Sequence, residues 1–296
     1  MGTHIIDGRI ISADIKAGLE KEIRAIKEKH GITPGLAVVL VGNDPASEVY
    51  VKMKVRSCEQ IGLYSRKILM DDKAGQKELL EKIDELNQDP KIHGILVQHP
   101  MPSHIDENKI FSRIDPAKDV DGFNPISAGQ LMIGIEGLKP CTPYGVLKML
   151  EATGIDPAGQ HVVVLGRSNI VGKPVAMMLL QKAAGADATV TICHSRTRNL
   201  AEITSRADIL IAAIGRPEFV GPEMVKKGAV VIDVGTNRVD DPSSEKGYKL
   251  VGDVDFEAVS PKCKAISPSP GGVGPMTIAM LLHNTVTACK RIHGLE

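Results

Sequence analysis

Val162-Val163-Val164-Leu165-Gly166-Arg167-Ser168-Asn169-Ile170-Val171-Gly172-Lys173-Pro174 reads as a buried strand, a glycine turn and the first turn of a helix. Four aliphatic residues running into a turn signal suit a strand covered on both faces. Proline in the first helical turn loses no hydrogen bond, because the N–H it lacks has no intrahelical partner there. A helix that starts directly after a strand offers free N–H groups and the positive end of its dipole to an anion such as pyrophosphate. The common dinucleotide fingerprint is G-x-G-x-x-G. Here Ser168 stands where the second glycine would be, so the turn is a variant and weak evidence by itself. A P-loop does not fit: five residues separate Gly166 from Gly172, and Pro174 occupies the hydroxyl position.

The chain on either side strengthens the reading. Further buried strands are expected at Thr189–Cys193, Ile209–Ala213 and Ala229–Val234, with helices at Gly172–Gln181, Leu200–Arg206 and Pro222–Lys226. This alternation makes a Rossmann-like domain from about Val162 to Ile266. An NAD site would place an acid near the end of the second strand, about 20 residues on, to take the ribose hydroxyls. That strand instead ends in His194-Ser195-Arg196-Thr197, and Arg167 lies on the neighbouring turn. Cations and hydroxyls suit a 2′-phosphate, so NADP is expected over NAD.

The first half also alternates. Asp14–Lys29, Ala46–Ile61 and Lys77–Asn87 have helical periodicity, while Gly35–Gly42, Ser65–Leu69 and Gly94–Gln98 read as strands. A loop-rich stretch from Asp115 to Pro143 follows, then a helix at Tyr144–Thr153. A last helix, Thr277–Ile292, follows the Gly/Pro knot Pro268–Pro275. The expected fold is α/β with two domains: residues 1–143 plus 275–296, and residues 144–274, the C-terminal helix returning to the first.

Composition narrows the class. Hydrophobic residues make up 43% and charged ones 24%, enough for a buried core. Zero formal net charge, no Trp and only four Tyr and four Phe disfavour nucleic acid as a partner. No apolar run is long enough for a membrane span and no secretory signal is visible. Five cysteines without a C-x-x-C pair suit reduced thiols in the cytoplasm. His, Cys and carboxylates show no metal-ligand spacing, so no metal is expected.

Tyr50 and Lys54 stand four apart on an expected helix and share a face. By spacing alone they read first as part of an amphipathic helix with one more exposed lysine. Gln98 at a strand end reads as a surface amide, and Asp121 before Gly122 as a turn residue.

Taken in order, the motifs carry more. Ser47-Glu48-Val49-Tyr50 with Lys54, Gly94-Ile95-Leu96-Val97-Gln98 and Lys118-Asp119-Val120-Asp121-Gly122-Phe123 come first. Pro140-Cys141-Thr142-Pro143, the Gly166–Gly172 turn, Cys193-His194-Ser195, Val231-Ile232-Asp233-Val234-Gly235 and Pro270-Gly271-Gly272-Val273-Gly274-Pro275-Met276-Thr277 follow. Over nearly its whole length the chain resembles the bifunctional methylenetetrahydrofolate dehydrogenase/methenyltetrahydrofolate cyclohydrolase family.

The resemblance implies oxidation of 5,10-methylenetetrahydrofolate with NADP, then hydrolysis of the methenyl product to 10-formyltetrahydrofolate. It maps the catalytic lysine onto Lys54, the ring-stacking tyrosine onto Tyr50, the supporting glutamine onto Gln98 and the pterin-binding acid onto Asp121. It places NADP at Gly166, Arg167, Ser168, Ser195 and Thr236, and folate against Pro270, Gly271 and Gly272 in a site between the domains. It also implies a homodimer and a place in one-carbon supply to purine biosynthesis. Departures are His99 and Met101 after Gln98, where the family more often has leucines, Ser267 and Ser269 before the knot, Thr236 after Gly235, and a longer loop at Asp240–Tyr248. His99 is expected at a packing position. One rival is a dehydrogenase without the hydrolytic step; another is a non-catalytic dinucleotide sensor. Intact Tyr50, Lys54, Gln98 and Asp121 argue against both.

Overall fold

All seven residues of the strand Gly35–Val41 are buried, as an uninterrupted aliphatic run between two covered faces requires. The computed structural model describes residues 2–244 and 247–295. In chain order its strands are β1 (His4–Ile5), β2 (Gly35–Val41), β3 (Tyr64–Met70), β4 (Gly94–Val97), β5 (His161–Leu165), β6 (Thr189–Cys193), β7 (Ile209–Ala212), β8 (Val230–Asp233), β9 (Asn237–Asp240), β10 (Tyr248–Val251) and β11 (Ala265–Ile266). The helices are α1 (Gly8–His30), α2 (Pro45–Gln60), α3 (Gln76–Gln88), α4 (Glu107–Arg113), α5 (Pro125–Ile133), α6 (Cys141–Ala152), α7 (Gly172–Leu179), α8 (Leu200–Thr204), α9 (Phe256–Val259) and α10 (Val273–His293). Among the described residues no helix is long and apolar enough to cross a membrane.

The described chain forms two units. One comprises residues 13–141 and 278–295. Its sheet is parallel, in the order β3-β2-β4, with β2 central. Val39, Val97, Leu79, Ile83 and Leu86 meet on one side of it in a dry cluster. Burying such side chains contributes about 1.5–3 kcal/mol each. The second half of α10 belongs to this unit, so the expected return of the C-terminal helix is present. α2, which carries Tyr50 and Lys54, starts with Pro45 after Asp44, whose carboxylate accepts the Ser47 N–H at 2.7 Å.

The other unit comprises residues 2–12 and 142–277. Its six-stranded sheet runs β1-β11-β8-β7-β5-β6, every pair parallel. The order reverses at β5, which has β6 on one side and β7 on the other; crevices for ligands open at such points, beyond the strand C-termini. Residues 2–12 were expected with the first domain. They lie in this unit because His4 and Ile5 pair with Ala265 and Ile266 at the sheet edge. The sequence pattern also missed the antiparallel hairpin β9–β10. Its strands form both ends of the expected Asp240–Tyr248 loop, of which residues 245 and 246 lie outside the described residues. The expected helix at Pro222–Lys226 is one short 3-10 turn, Pro222–Met224.

Candidate active site

In the first unit, Lys54 Nζ donates a 3.0 Å hydrogen bond to Gln98 Oε1. α2 presents Lys54 half-buried, and Gln98 emerges from the end of β4. The Gln98 amide is held at its other end, where Nε2 donates to His99 O at 2.6 Å. Its oxygen is thereby fixed toward the lysine. Asp121 is close enough to Lys54 and to the Cys141 thiol for both to act on its carboxyl. Burial pushes the Asp121 pKa up, while the Lys54 ammonium and the Cys141 thiol pull it down. Tyr50 lies one helical turn before Lys54 and is 45% exposed, leaving a ring face free for a flat ligand. Lys54, Gln98 and Asp121 therefore converge, with Tyr50 on the face that carries Lys54. The arrangement combines a proton carrier, an amide that orients it and an acceptor for polar hydrogens.

His99 is not at a packing position. Its Nδ1 lies 2.8 Å from Glu107 Oε1 with the ring partly exposed, and the same carboxylate oxygen accepts the Met101 N–H.

Residues that sequence reasoning passed over hold Asp121 in place. Asp119, 1% exposed, accepts N–H bonds from Gly122, Phe123 and Asn124, which folds the loop around Asp121. Lys118 is buried and caps the end of α3, donating to Leu86 O, Asn87 O and Asp89 O. A charge pair of neighbours before a turn is an ambiguous signal, because solvent-exposed residues look the same in sequence.

In the second unit, Gly166, Arg167, Ser168, His194, Ser195 and Arg216 line a cavity of about 230 Å³ at the ends of β5, β6 and β7. Its floor depends on two glycines. Gly166 has φ +136°, and a Cβ there would sit 2.1 Å from Ala213 O. A Cβ on Gly172 would lie 2.3 Å from Gly166 O. The serine in the second glycine's place has a use: Ser168 Oγ accepts the N–H groups of Val171 and Gly172, tying turn to helix. The lining contains two arginines, a histidine and two serines, and no carboxylate. These residues fit a phosphorylated dinucleotide: Arg167 and Ser195 would hold the 2′-phosphate by charge-assisted bonds.

The loop after β7 is held by an acid that the sequence reading missed. Asp253 is fully buried and accepts N–H bonds from Ile214, Gly215 and Arg216. Asp233, at the end of β8, accepts from Gly235, Asp253 and Val254; burial nevertheless pushes its pKa up to about 7. Thr236 is exposed just beyond β8 and does not line the cavity, because it sits past the strand on the far side of β7. Pro270, Gly271 and Gly272 form the bend that leads into α10. Ser269 Oγ ties that bend to Gly235 O at 2.5 Å, and Asp233 N–H donates to Ser267 Oγ, so both serine departures carry hydrogen bonds.

Three possible metal donors without ligand spacing in the sequence meet in the fold. His93, Cys289 and His293 converge in the first unit, brought together from distant parts of the chain by α10. The Gly35 N–H donates to His93 Nδ1 at 2.9 Å, so the neutral ring carries its proton on Nε2. That proton faces His293 Nε2 at 3.0 Å, so the pair is satisfied as a hydrogen bond.

Family profiles match both parts of the chain. The family profile "Tetrahydrofolate dehydrogenase/cyclohydrolase, catalytic domain" matches residues 6–121, and "Tetrahydrofolate dehydrogenase/cyclohydrolase, NAD(P)-binding domain" matches residues 140–293. The bifunctional protein FolD of Moorella thermoacetica is 57% identical over 291 residues, covering 98% of this chain and 100% of that one. The crystal structure of the bifunctional FolD of Campylobacter jejuni superposes with a TM-score of 0.93 at 48% identity, covering 98% of this chain and all of the other. The Trypanosoma brucei enzyme, solved with NADP and an inhibitor, gives 0.94 at 38% identity over 99% of both chains. Two domain matches that together span nearly the whole chain, with relatives this similar from end to end, make it a member of the tetrahydrofolate dehydrogenase/cyclohydrolase family.

Proposed function

We propose that Lys54 is the general acid/base of a folate cyclohydrolase, oriented by Gln98, with Asp121 and Tyr50 binding the pterin. The enzyme oxidises 5,10-methylenetetrahydrofolate to the methenyl form with NADP and hydrolyses that product to 10-formyltetrahydrofolate. The observation that carries the assignment of roles is the 3.0 Å Lys54–Gln98 bond with Asp121 beside it.

When bound, NADP supplies a nicotinamide ring that accepts hydride from the methylene carbon. The residues of the Gly166 turn bind and orient it. No strong base is needed in this step, because the folate nitrogens stabilise the cation that forms. Hydrolysis does need proton transfers. Water adds to the methenyl carbon and loses a proton to give a carbinol; the bond from that carbon to N5 then breaks, N5 gains a proton, and the hydroxyl gives its remaining proton to solvent as it becomes the formyl carbonyl. Lys54 Nζ, in its neutral amine form, accepts the first proton and returns it to N5, a role that general acid–base catalysis makes worth about 10²–10⁴ in rate. Gln98 holds the amine in line for both. Asp121 accepts hydrogen bonds from the pterin amino edge, and the Tyr50 ring stacks on the pterin.

The same reading includes a homodimer in the cytoplasm that supplies activated formyl groups to purine biosynthesis. Exposed Ile192 on the edge strand β6 supports an interface there. Light scattering at micromolar protein tests the dimer.

Mixing the protein with methylenetetrahydrofolate and NADP, and following NADPH and the methenyl intermediate separately, tests the activity. Formation of NADPH with rapid decay of the methenyl signal is expected. Absence of NADPH ends the dehydrogenase reading; decay no faster than in buffer leaves the monofunctional rival.

A further inference from the structure

Asn284, on α10, carries no charge and touches no candidate ligand, yet it is only 2% exposed, with His283 and Thr285 beside it in the chain. A buried amide in such a setting must find partners for its polar hydrogens. Its Nδ2 donates to Val120 O at 2.8 Å and to Lys139 O at 2.7 Å, and lies 3.8 Å from Cys141 Sγ. These partners belong to two separate loop segments. Val120 O is the carbonyl of the peptide that leads into Asp121; Lys139 O stands two residues before Cys141. The Cys141 thiol donates to the same Val120 carbonyl at 3.2 Å.

The two segments are also in close backbone contact. A Cβ on Gly122 would lie 2.6 Å from Pro140 N, so this approach tolerates only glycine at φ +74°. On the other side, a Cβ on Gly94 would meet Val120 Cγ1 at 2.6 Å and Thr285 Oγ1 at 3.1 Å. The Asp121 loop is thus pressed between β4 and the Pro140–Cys141 segment, and Asn284 is the side chain that bonds to both loop segments at once.

We infer that Asn284 is a positioning residue for folate recognition: its amide locks the Val120–Asp121 peptide to the Lys139–Cys141 segment and so aims the Asp121 carboxylate into the site. The inference rests on the reading of Asp121 as the pterin acceptor. Replacing the amide by an apolar side chain removes both N–H bonds, and with them the direct tie between α10 and the two loop segments. A misaligned acceptor weakens binding of folate and leaves the dinucleotide cavity of the other unit unaffected.

The test uses the full-length protein in three variants: Asn284→Ala, Asn284→Ser, which keeps one donor, and Asp121→Asn. KM for methenyltetrahydrofolate, kcat for hydrolysis and Kd for NADP are measured for each. Asn284→Ala is expected to raise the folate KM on the order of tenfold, the scale of a misaligned hydrogen bond to a charged group, with a smaller change in kcat and an unchanged NADP Kd. Asn284→Ser is expected to fall between Asn284→Ala and the parent, and it decides the matter if the alanine variant does not fold. A folate KM equal to the parent's in both Asn284 variants overturns the inference, as does a parallel loss of NADP binding, which would mean general unfolding. If Asp121→Asn leaves the folate KM unchanged, the Asp121 reading fails. If it raises KM while the Asn284 variants do not, the clamp alone fails.

Discussion

Gln98 accepts the Lys54 ammonium at Oε1 and donates from Nε2 to the backbone carbonyl of His99, so one amide joins the helix-borne lysine to the end of β4. Gln98→Ala frees the lysine to turn away without removing it. Hydrolysis should slow by about 10- to 100-fold, while NADP affinity changes little. Steady-state hydrolysis and fluorescence titration with NADPH separate the two quantities.

Arg167 lies in the cavity at the end of β5 with Ser195. Arg167→Ala should weaken NADP by about 1.5–3 kcal/mol, the worth of a hydrogen bond to a charged group, and leave NAD nearly unaffected. Comparing kcat/KM for the two cofactors checks this. Equal losses for both would mean that the arginine does not meet the 2′-phosphate.

Asp253 holds three consecutive backbone N–H groups of the loop after β7. Asp253→Ala removes the shared acceptor of three part-buried N–H groups, so unfolding should become easier by about 1–3 kcal/mol. Denaturant midpoints read the loss, and NADP titration should show weaker binding because Ile214 and Arg216 line the cavity.

His93 provides a prediction about pH. Burial, with the nearby His293 and Lys118, lowers its pKa from 6.5 to about 4, against a smaller opposing pull from Asp89. The unfolded chain therefore takes up a proton as pH falls through 6.5, and the folded chain resists until about 4. Stability contributed by the neutral ring is complete above this window and is lost as pH falls through it. Between about pH 7 and about pH 5 the loss is about 2 kcal/mol. Urea unfolding at the two pH values measures it, and His93→Gln should flatten the dependence.

Elements built on long aliphatic runs were legible in advance. β2, β4, β5, β7 and β8 are each covered on both faces, so apolar content and glycine boundaries mark them. β1 and β11 have two residues each, too few for a pattern, and exist through their pairing with each other and with β8. β9–β10 alternates at the surface with charged residues, which hides it among loops. α5 lies in the loop-rich stretch that starts at Asp115 and α4 just before it, and capping by Asn124 and Asp106 rather than a long apolar face defines them.

The site followed the same division. Lys54, Gln98 and Asp121 were readable through motif resemblance, since spacing alone left each a plainer interpretation. Their supports were not. Lys118, Asp253 and Asn284 act on backbone groups far away in sequence, and only the folded chain supplies those partners; Asp119 holds the three N–H groups of the turn just after it. Asn284 left one trace, a polar residue within the apolar stripe of α10.

The most direct measurement is Lys54→Met assayed for both activities, with NADP binding as the control for folding. A side chain of similar length without a titrating group should abolish detectable hydrolysis of methenyltetrahydrofolate while NADP still binds with parent-like affinity. Hydrolysis persisting at the parent rate would contradict the assignment of Lys54 as the group that carries the proton.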